Sequence, residues 1–210
     1  ESLNPRWTIK DIIKEPLDIH NIGALNDREE AVIEILRTVG LTPPENYLAR
    51  YPHEISGGQR QRVSIARTLI MKPKFVICDE PTSMLDVSIR ISIMDLMLNL
   101  AKDLDVSYLY ITHDLAVARY MCNRIAVMFN GKIVEIAETE ELLKNPIHPY
   151  TKRLISSIPI PDPSYIREKY QINYDELEEI ILKNPDKKMI DVGNEHFVAT
   201  HDTKDYLIES

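Results

Sequence analysis

The sequence predicts an α/β fold built on a parallel sheet, and three observations carry that reading. Two short, continuous apolar runs, KFVIC (74–78) and VSYLYIT (106–112), have the length and composition of strands covered on both faces. Both alternate with helix-patterned stretches, the arrangement that gives strands joined by crossover helices. Both also end in polar residues, Asp79–Glu80 and Thr112–His113–Asp114. The carboxyl ends of strands are where open α/β sheets bind their ligands.

The elements follow in chain order. Residues 1–55 carry helical patterns interrupted by Pro16, Gly23, Gly40 and the Pro43–Pro44 pair. Ala31, Val32, Ile35, Leu36 and Val39 recur at helical spacing, and Gly40 is a natural stop. The next helix runs from roughly Gly58 to Met71, with Val63, Ala66, Leu69 and Ile70 as its buried stripe and Pro73 ending it. After the first strand, Ser88 to Leu104 is helical; after the second, Leu115 to Met121 is helical again. RIAVMFNGKIVEIA (124–137) reads as a hairpin turning at Asn130–Gly131, the strongest short-range hairpin signal. The chain then stays helical to about Ser157 and enters IPIPDP (158–163) and an acidic, tyrosine-containing tail to which the pattern assigns no element. No internal repeat is visible.

Bulk properties narrow the function. The 210 residues, 44% of them hydrophobic, suffice for a sizeable core. With 25 Lys+Arg against 33 Asp+Glu, the formal charge is 25 − 33 = −8. That argues against nucleic acid as a partner, since neutralising phosphates needs a basic surface. No apolar run approaches the ~20 residues of a membrane-spanning helix, and no signal-peptide pattern opens the chain. Cys78 and Cys122 form neither a disulfide framework nor a metal-type spacing, so the plain reading is a reduced, soluble, intracellular chain.

The candidate chemistry starts at FVICDE. A strand-end aspartate, Asp79, suits Mg²⁺ beside nucleotide phosphates, and Glu80 after it is placed to orient and deprotonate a water. Alone, such a pair more often just caps a turn, and a lone His113 is more often a satisfied hydrogen-bonding residue. Acid, acid and imidazole at two strand ends shift the balance toward a site. ISGGQ (55–59) shifts it further. Glycines let backbone N–H groups approach an anion, and the following helix directs its positive end there. Ser56 can cap that helix and also donate to a phosphate oxygen. An ordinary N-cap with a tight turn is the competing reading.

The order of these motifs resembles the nucleotide-binding domain of ABC-type ATPases, a P-loop NTPase fold. ISGGQ is similar to the signature loop, with Ile55 where Leu is commonest, and the resemblance makes Ser56, Gly57, Gly58 and Gln59 nucleotide-contacting residues. FVICDE is similar to the Walker B strand, implying Asp79 for the metal and Glu80 as catalytic base. SMLD (83–86) resembles the D-loop, with Met84 where a small residue is usual, which adds Asp86 to the implied nucleotide-contacting residues; His113 stands at the switch histidine, implying a catalytic role beside Glu80. The resemblance covers about residues 1–163. It implies ATP and Mg²⁺ as ligands and a second ATP-binding subunit, because in this family the signature loop of one subunit meets the γ-phosphate held by the other.

The chain also looks like one branch of that family, the ATP-binding subunits of oligopeptide/dipeptide importers. SLNPRWTI (2–9), RYPHEISGGQRQRV (50–63) and NPIHPYTKRLISSIPIPDP (145–163) are similar to stretches these subunits carry. The IPIPDP ending looks more like the second of the two paired ATPases. The implied organisation is a helical signature subdomain at 1–57, the remaining part of a RecA-like core at 58–140 and a C-terminal extension at 141–210. The implied setting is the cytoplasmic face of the membrane, against transmembrane permease subunits. HFVAT (196–200) is similar to a segment that in some members carries a cysteine of an iron–sulfur cluster. Thr200 stands in that place, so no cluster is expected.

One part of the pattern is missing. The six glycines (23, 40, 57, 58, 131, 193) offer no G-x-x-x-x-G-K-[ST] run, and Gly131–Lys132 lies in the hairpin turn. The family's Q-loop glutamine is absent too, so the expectation is a truncated domain that would expose a raw sheet edge. Three functions compete: an importer ATPase subunit, a soluble ABC-type ATPase acting on DNA or ribosomes, and a non-hydrolysing remnant that keeps a docking surface. The acidic charge and the HPYTKRLISSIP stretch speak against the second. The conformational push on membrane subunits is expected through residues 7–55, where the lone Trp7 is read as buried rather than as part of a docking face.

Overall fold

A computed structural model describes residues 3–157 and 188–199. The chain divides into two compact units, Glu1–Ile111 and Thr112–Ser210.

The first unit opens with α1 (Ile9–Ile19), started by Thr8, whose Oγ1 accepts from the Asp11 N–H. Ile9, Ile12, Ile13 and Leu17 are buried at helical spacing, and Pro16 lies inside the helix rather than breaking it. The proline lacks the N–H that would reach the Ile12 carbonyl, a loss of about 3 kcal/mol in an isolated helix. Here the buried stripe packed on α2 (Leu25–Thr38) and α4 (Gly57–Leu69) overrides it. Ion pairs fasten the outer faces: Lys10–Glu29 at 2.6 Å, Arg28–Asp18 at 2.8 Å and Arg67–Glu15 at 2.7 Å. Gly40 ends α2 at φ +76°, as expected of a left-handed stop. The short α3 (Glu45–Leu48) and a 3₁₀ turn at Pro52–Glu54 lead into α4. Val63, Ala66, Leu69 and Ile70 are buried as the spacing predicts.

Strands β1 (Phe75–Asp79) and β2 (Ser107–Ile111) pair in parallel, joined by α5 (Val87–Asp103). The expectation that both faces are covered fails. Phe75, Ile77, Leu109 and Ile111 share one face and are 56%, 61%, 48% and 45% exposed. Only the opposite face, with Cys78, Val76, Tyr108 and Tyr110, is covered to any degree. An apolar run records that a strand is built for two-sided cover, not that the described residues supply it. Trp7, expected to be buried, is 38% exposed.

The second unit holds α6 (Leu115–Met121) and the hairpin of β3 (Arg124–Phe129) and β4 (Lys132–Glu138). Asn130 and Gly131 take φ of +46° and +74°, the two positive values a tight hairpin turn requires. The continuous helix expected to about Ser157 is two helices, α7 (Thr139–Lys144) and α8 (Pro149–Ser156). Pro146 and Pro149 break the pattern between them, and His148 caps the second. Two unanticipated strands, β5 (Met189–Asp191) and β6 (Phe197–Ala199), complete an antiparallel sheet of order β3-β4-β6-β5. Leu115, Ile125, Val127, Val134, Ala137 and Leu142 form its core. The IPIPDP stretch and Thr200 lie outside the described residues.

Candidate functional site

Ser56 precedes α4 in extended conformation, at φ −67° and ψ 165°. Its Oγ accepts from the Gln59 N–H at 3.2 Å while Gln59 Oε1 accepts from the Ser56 N–H at 2.9 Å. This is a reciprocal capping box, so Ser56 and Gln59 do serve as an ordinary helix start. The box uses the Ser56 hydroxyl only as an acceptor and leaves its proton for another group. The N–H groups of Gly57 and Gly58 head the helix, where no intrahelical acceptor exists.

The two glycines do different work. A Cβ on Gly58 would lie 2.7 Å from Ile89 Cγ2 of α5, closer than packing allows. Its absence lets α4 seat on α5. A Cβ on Gly57 would meet Leu85 Cδ2 at 3.7 Å and Arg60 Nη2 at 3.8 Å, both ordinary contacts. Among the described residues nothing therefore demands a glycine at 57. Arg60 steadies the loop by donating to the carbonyls of Ile55 (2.9 Å) and Pro52 (3.4 Å). Arg62 donates to the Val39 carbonyl at 2.6 Å and to Ser92 Oγ at 3.0 Å, tying α4 to the end of α2 and to α5. Neither arginine stood out in the sequence; the signal was the RQR that follows GGQ.

Asp79 ends β1 with its side chain exposed, and Glu80 follows at φ +43°, the left-handed region where a non-glycine residue is strained. The Glu80 N–H donates to the Ile111 carbonyl at 3.0 Å, extending the parallel ladder one residue beyond the strand. A turn then runs to Asp86, whose carbonyl accepts from the Arg90 N–H at 2.8 Å at the start of α5. The Asp86 carboxylate makes no capping bond and is exposed. A cleft of about 410 Å³ separates α4 from β1. Gln61, Ser64 and Thr68 line one wall, and Cys78, Asp79 and Glu80 the other. Burial pushes the Cys78 thiol up to about 11, so the residue beside Asp79 is neutral at ordinary pH.

The first unit thus brings the 55–59 loop against the 83–86 turn, through Gly57 beside Leu85, and sets Asp79 and Glu80 on the cleft wall. His113 belongs to the second unit, where it is exposed directly ahead of the cap of α6. That cap is Asp114, whose Oδ1 accepts from the N–H groups of Ala116 (2.9 Å) and Val117 (3.3 Å).

The family model described as ABC transporter matches residues 1–83, and that for the oligopeptide/dipeptide transporter C-terminal region matches residues 134–182. The chain is 48% identical over 198 residues to the oligopeptide transport ATP-binding protein OppF of Bacillus subtilis (strain 168), covering 94% of this chain and 64% of that protein. It is 53% identical over 175 residues to AmiF of Streptococcus pneumoniae serotype 4, covering 83% and 56%. To the dipeptide transport ATP-binding protein DppF of Lactococcus lactis subsp. cremoris it is 46% identical over 198 residues, covering 94% and 62%. The chain therefore spans between 56% and 64% of the length of these relatives. Among solved structures, the dimeric ATP-binding cassette MJ0796, in a post-hydrolysis state bound to ADP and Pi, matches with a TM-score of 0.56 and 31% identity over 66% of this chain and 59% of its own. Along nearly its whole length the chain is thus similar to the ATP-binding proteins of oligopeptide and dipeptide ABC transporters, and it shares the P-loop NTPase fold of an ABC ATP-binding cassette.

Proposed function

We propose that the chain is part of the ATP-hydrolysing subunit of an importer for oligopeptides or dipeptides, peripheral on the cytoplasmic face of the membrane. The observation that carries this reading is Gly57: a glycine at a helix N-terminus that no described residue requires, beside a Ser56 hydroxyl that the helix cap uses only as an acceptor. Such a loop suits an anion brought from outside, the γ-phosphate of ATP held by a second subunit. Glu80 acts as base toward the attacking water, and His113 contacts the γ-phosphate. Gly58, Gln59 and Asp86 shape the subunit contact that delivers the loop. The exposed Asp79 carboxylate fits Mg²⁺, which takes few protein ligands and completes its shell with water and phosphate oxygens. When bound, the ion neutralises phosphate charge. In this reading residues 1–57 form the helical subdomain and pass the closing of the dimer to transmembrane permease subunits through 7–55, while 58–140 hold the catalytic strand ends and 141–210 form the branch-specific extension.

The test is complementation between subunits. A full-length subunit with Ser56 or Gly57 replaced is mixed with one whose phosphate loop is disabled, one change in each partner if the pair is heteromeric. One competent site should reappear and turnover should recover. Persistent inactivity under conditions where mixed dimers demonstrably form removes the trans role of residues 55–59. A second reading rests on a separate observation: this sequence contains no G-x-x-x-x-G-K-[ST]. It is a non-hydrolysing remnant that keeps a docking surface. A phosphate loop and Q-loop encoded immediately upstream of Glu1 would decide for the first.

A further inference from the structure

Glu80 occupies a backbone conformation that persists only where its surroundings over-determine it. Three attachments do so. The Glu80 N–H is tied to the Ile111 carbonyl at 3.0 Å. Its carbonyl accepts from the Ser83 N–H at 3.3 Å and from Ser83 Oγ at 3.0 Å. The third lies beneath the turn. Thr82 is 3% exposed, and its Oγ1 is 3.0 Å from the hydroxyl of Tyr110 on the neighbouring strand. The Thr82 carbonyl in turn accepts from the Leu85 N–H at 3.2 Å, carrying the anchor on toward the 83–86 turn.

The side chain at 110 is decisive because of register. Tyr110 is the partner of Cys78 across the parallel pair, on the covered face, whereas its neighbours Leu109 and Ile111 stand on the exposed one. A tyrosine two positions before the polar end of β2 is long enough to reach past the end of β1 and place its hydroxyl under Thr82. A phenylalanine would fill the same space and leave a buried threonine hydroxyl without this partner. Such a loss is felt more than an average missing hydrogen bond, because the remaining group stays desolvated.

We infer that Tyr110 is a positioning residue for Glu80, acting through Thr82: the hydroxyl pair pins the turn that aims the carboxylate. This rests on the reading of Glu80 as catalytic base. Neither Tyr110 nor Thr82 touches the reacting atoms in that reading. Their removal should therefore change the rate of the chemical step and not the affinity for nucleotide.

The experiment uses the full-length subunit, assayed for steady-state ATP hydrolysis and for binding of a fluorescent ATP analogue. Glu80→Gln comes first and should abolish turnover; if it does not, the catalytic reading of Glu80 and this proposal fall together. Given that result, Tyr110→Phe and Thr82→Val should each lower kcat about five- to twentyfold while KM and analogue affinity stay within twofold. The double variant should be no worse than either single one, since both remove the same bond. Thr82→Ser, which restores a hydroxyl at the same place, should recover most of the rate. An unchanged kcat in Tyr110→Phe overturns the proposal, as does a loss that Thr82→Ser fails to recover. A merely structural role predicts a lower Tm with kcat per folded molecule unchanged, and that outcome also overturns it.

Discussion

Gly58 lies directly against Ile89, so closely that a Cβ on the glycine would stand 2.7 Å from Ile89 Cγ2. The adjacent Gly57 has no such neighbour among the described residues, and the same atom there would sit at 3.7 Å from Leu85 Cδ2. Two glycines that look equivalent in ISGGQ therefore answer to different constraints. Gly58→Ala should destabilise the first unit by about 1–3 kcal/mol through overpacking of α4 on α5. Gly57→Ala should leave stability within about 0.5 kcal/mol and reduce hydrolysis only in the assembled dimer. Urea unfolding followed by the fluorescence of Trp7, the sole tryptophan, separates the two. Equal losses at both positions would contradict the division of roles.

The polypeptide of residues 1–210 by itself should hydrolyse ATP no faster than background. It has no glycine-rich loop and lysine to cradle the β- and γ-phosphates. Phosphate release that depends on magnesium and disappears in Glu80→Gln would show that another part of the chain holds the nucleotide.

Cys78 should resist alkylation in the folded chain. Burial raises its thiol from 9.0 to about 11, which at pH 8 lowers the thiolate population about hundredfold relative to an unperturbed thiol. Iodoacetamide labelling read by mass spectrometry should mark it slowly in native buffer and rapidly in urea. The folded state holds this proton more tightly than the unfolded one. Its contribution to stability is therefore complete below pH 9.0 and lost as pH rises toward about 11. Tyr108, pushed up to about 12 by its own burial, acts in the same direction. A stability profile that rises across this interval would refute the assignment.

Glu135 is fully buried in β4, where its carboxylate accepts from the N–H groups of Ile147 (2.8 Å) and His148 (3.0 Å) and lies 2.7 Å from His196 Nε2. It joins β4, the start of α8 and the turn before β6. Glu135→Ala should cost the second unit about 3–5 kcal/mol, because three polar groups, two of them buried, lose their common partner. Hydrogen exchange at the amides of Ile147 and His148 should accelerate first. Unchanged protection there would mean that the carboxylate does not hold the element in place.

The sequence alone determined whatever depends on local spacing and on motif order. The stripe of Val63, Ala66 and Leu69 fixed the buried face of α4, Gly40 fixed the stop of α2, and Asn130–Gly131 fixed the hairpin, since each follows from the backbone preferences of a few adjacent residues. The order ISGGQ, DE, SMLD, His113 points to the ABC family by itself. Tertiary structure decided what depends on partners distant in the chain. Pro16 stays inside α1 because packing on α2 and α4 outweighs a lost hydrogen bond, which no local pattern reveals. Glu135 turns inward next to a register shift opposite Val127 and Met128, and its partners lie 12, 13 and 61 residues away. Tyr110 reaches Thr82 across 28 residues through the parallel register. Gly57 and Gly58 part company only when α5 arrives beside one of them. Spacing encodes what a residue's neighbours in the chain require; what its neighbours in space require is set when the elements pack.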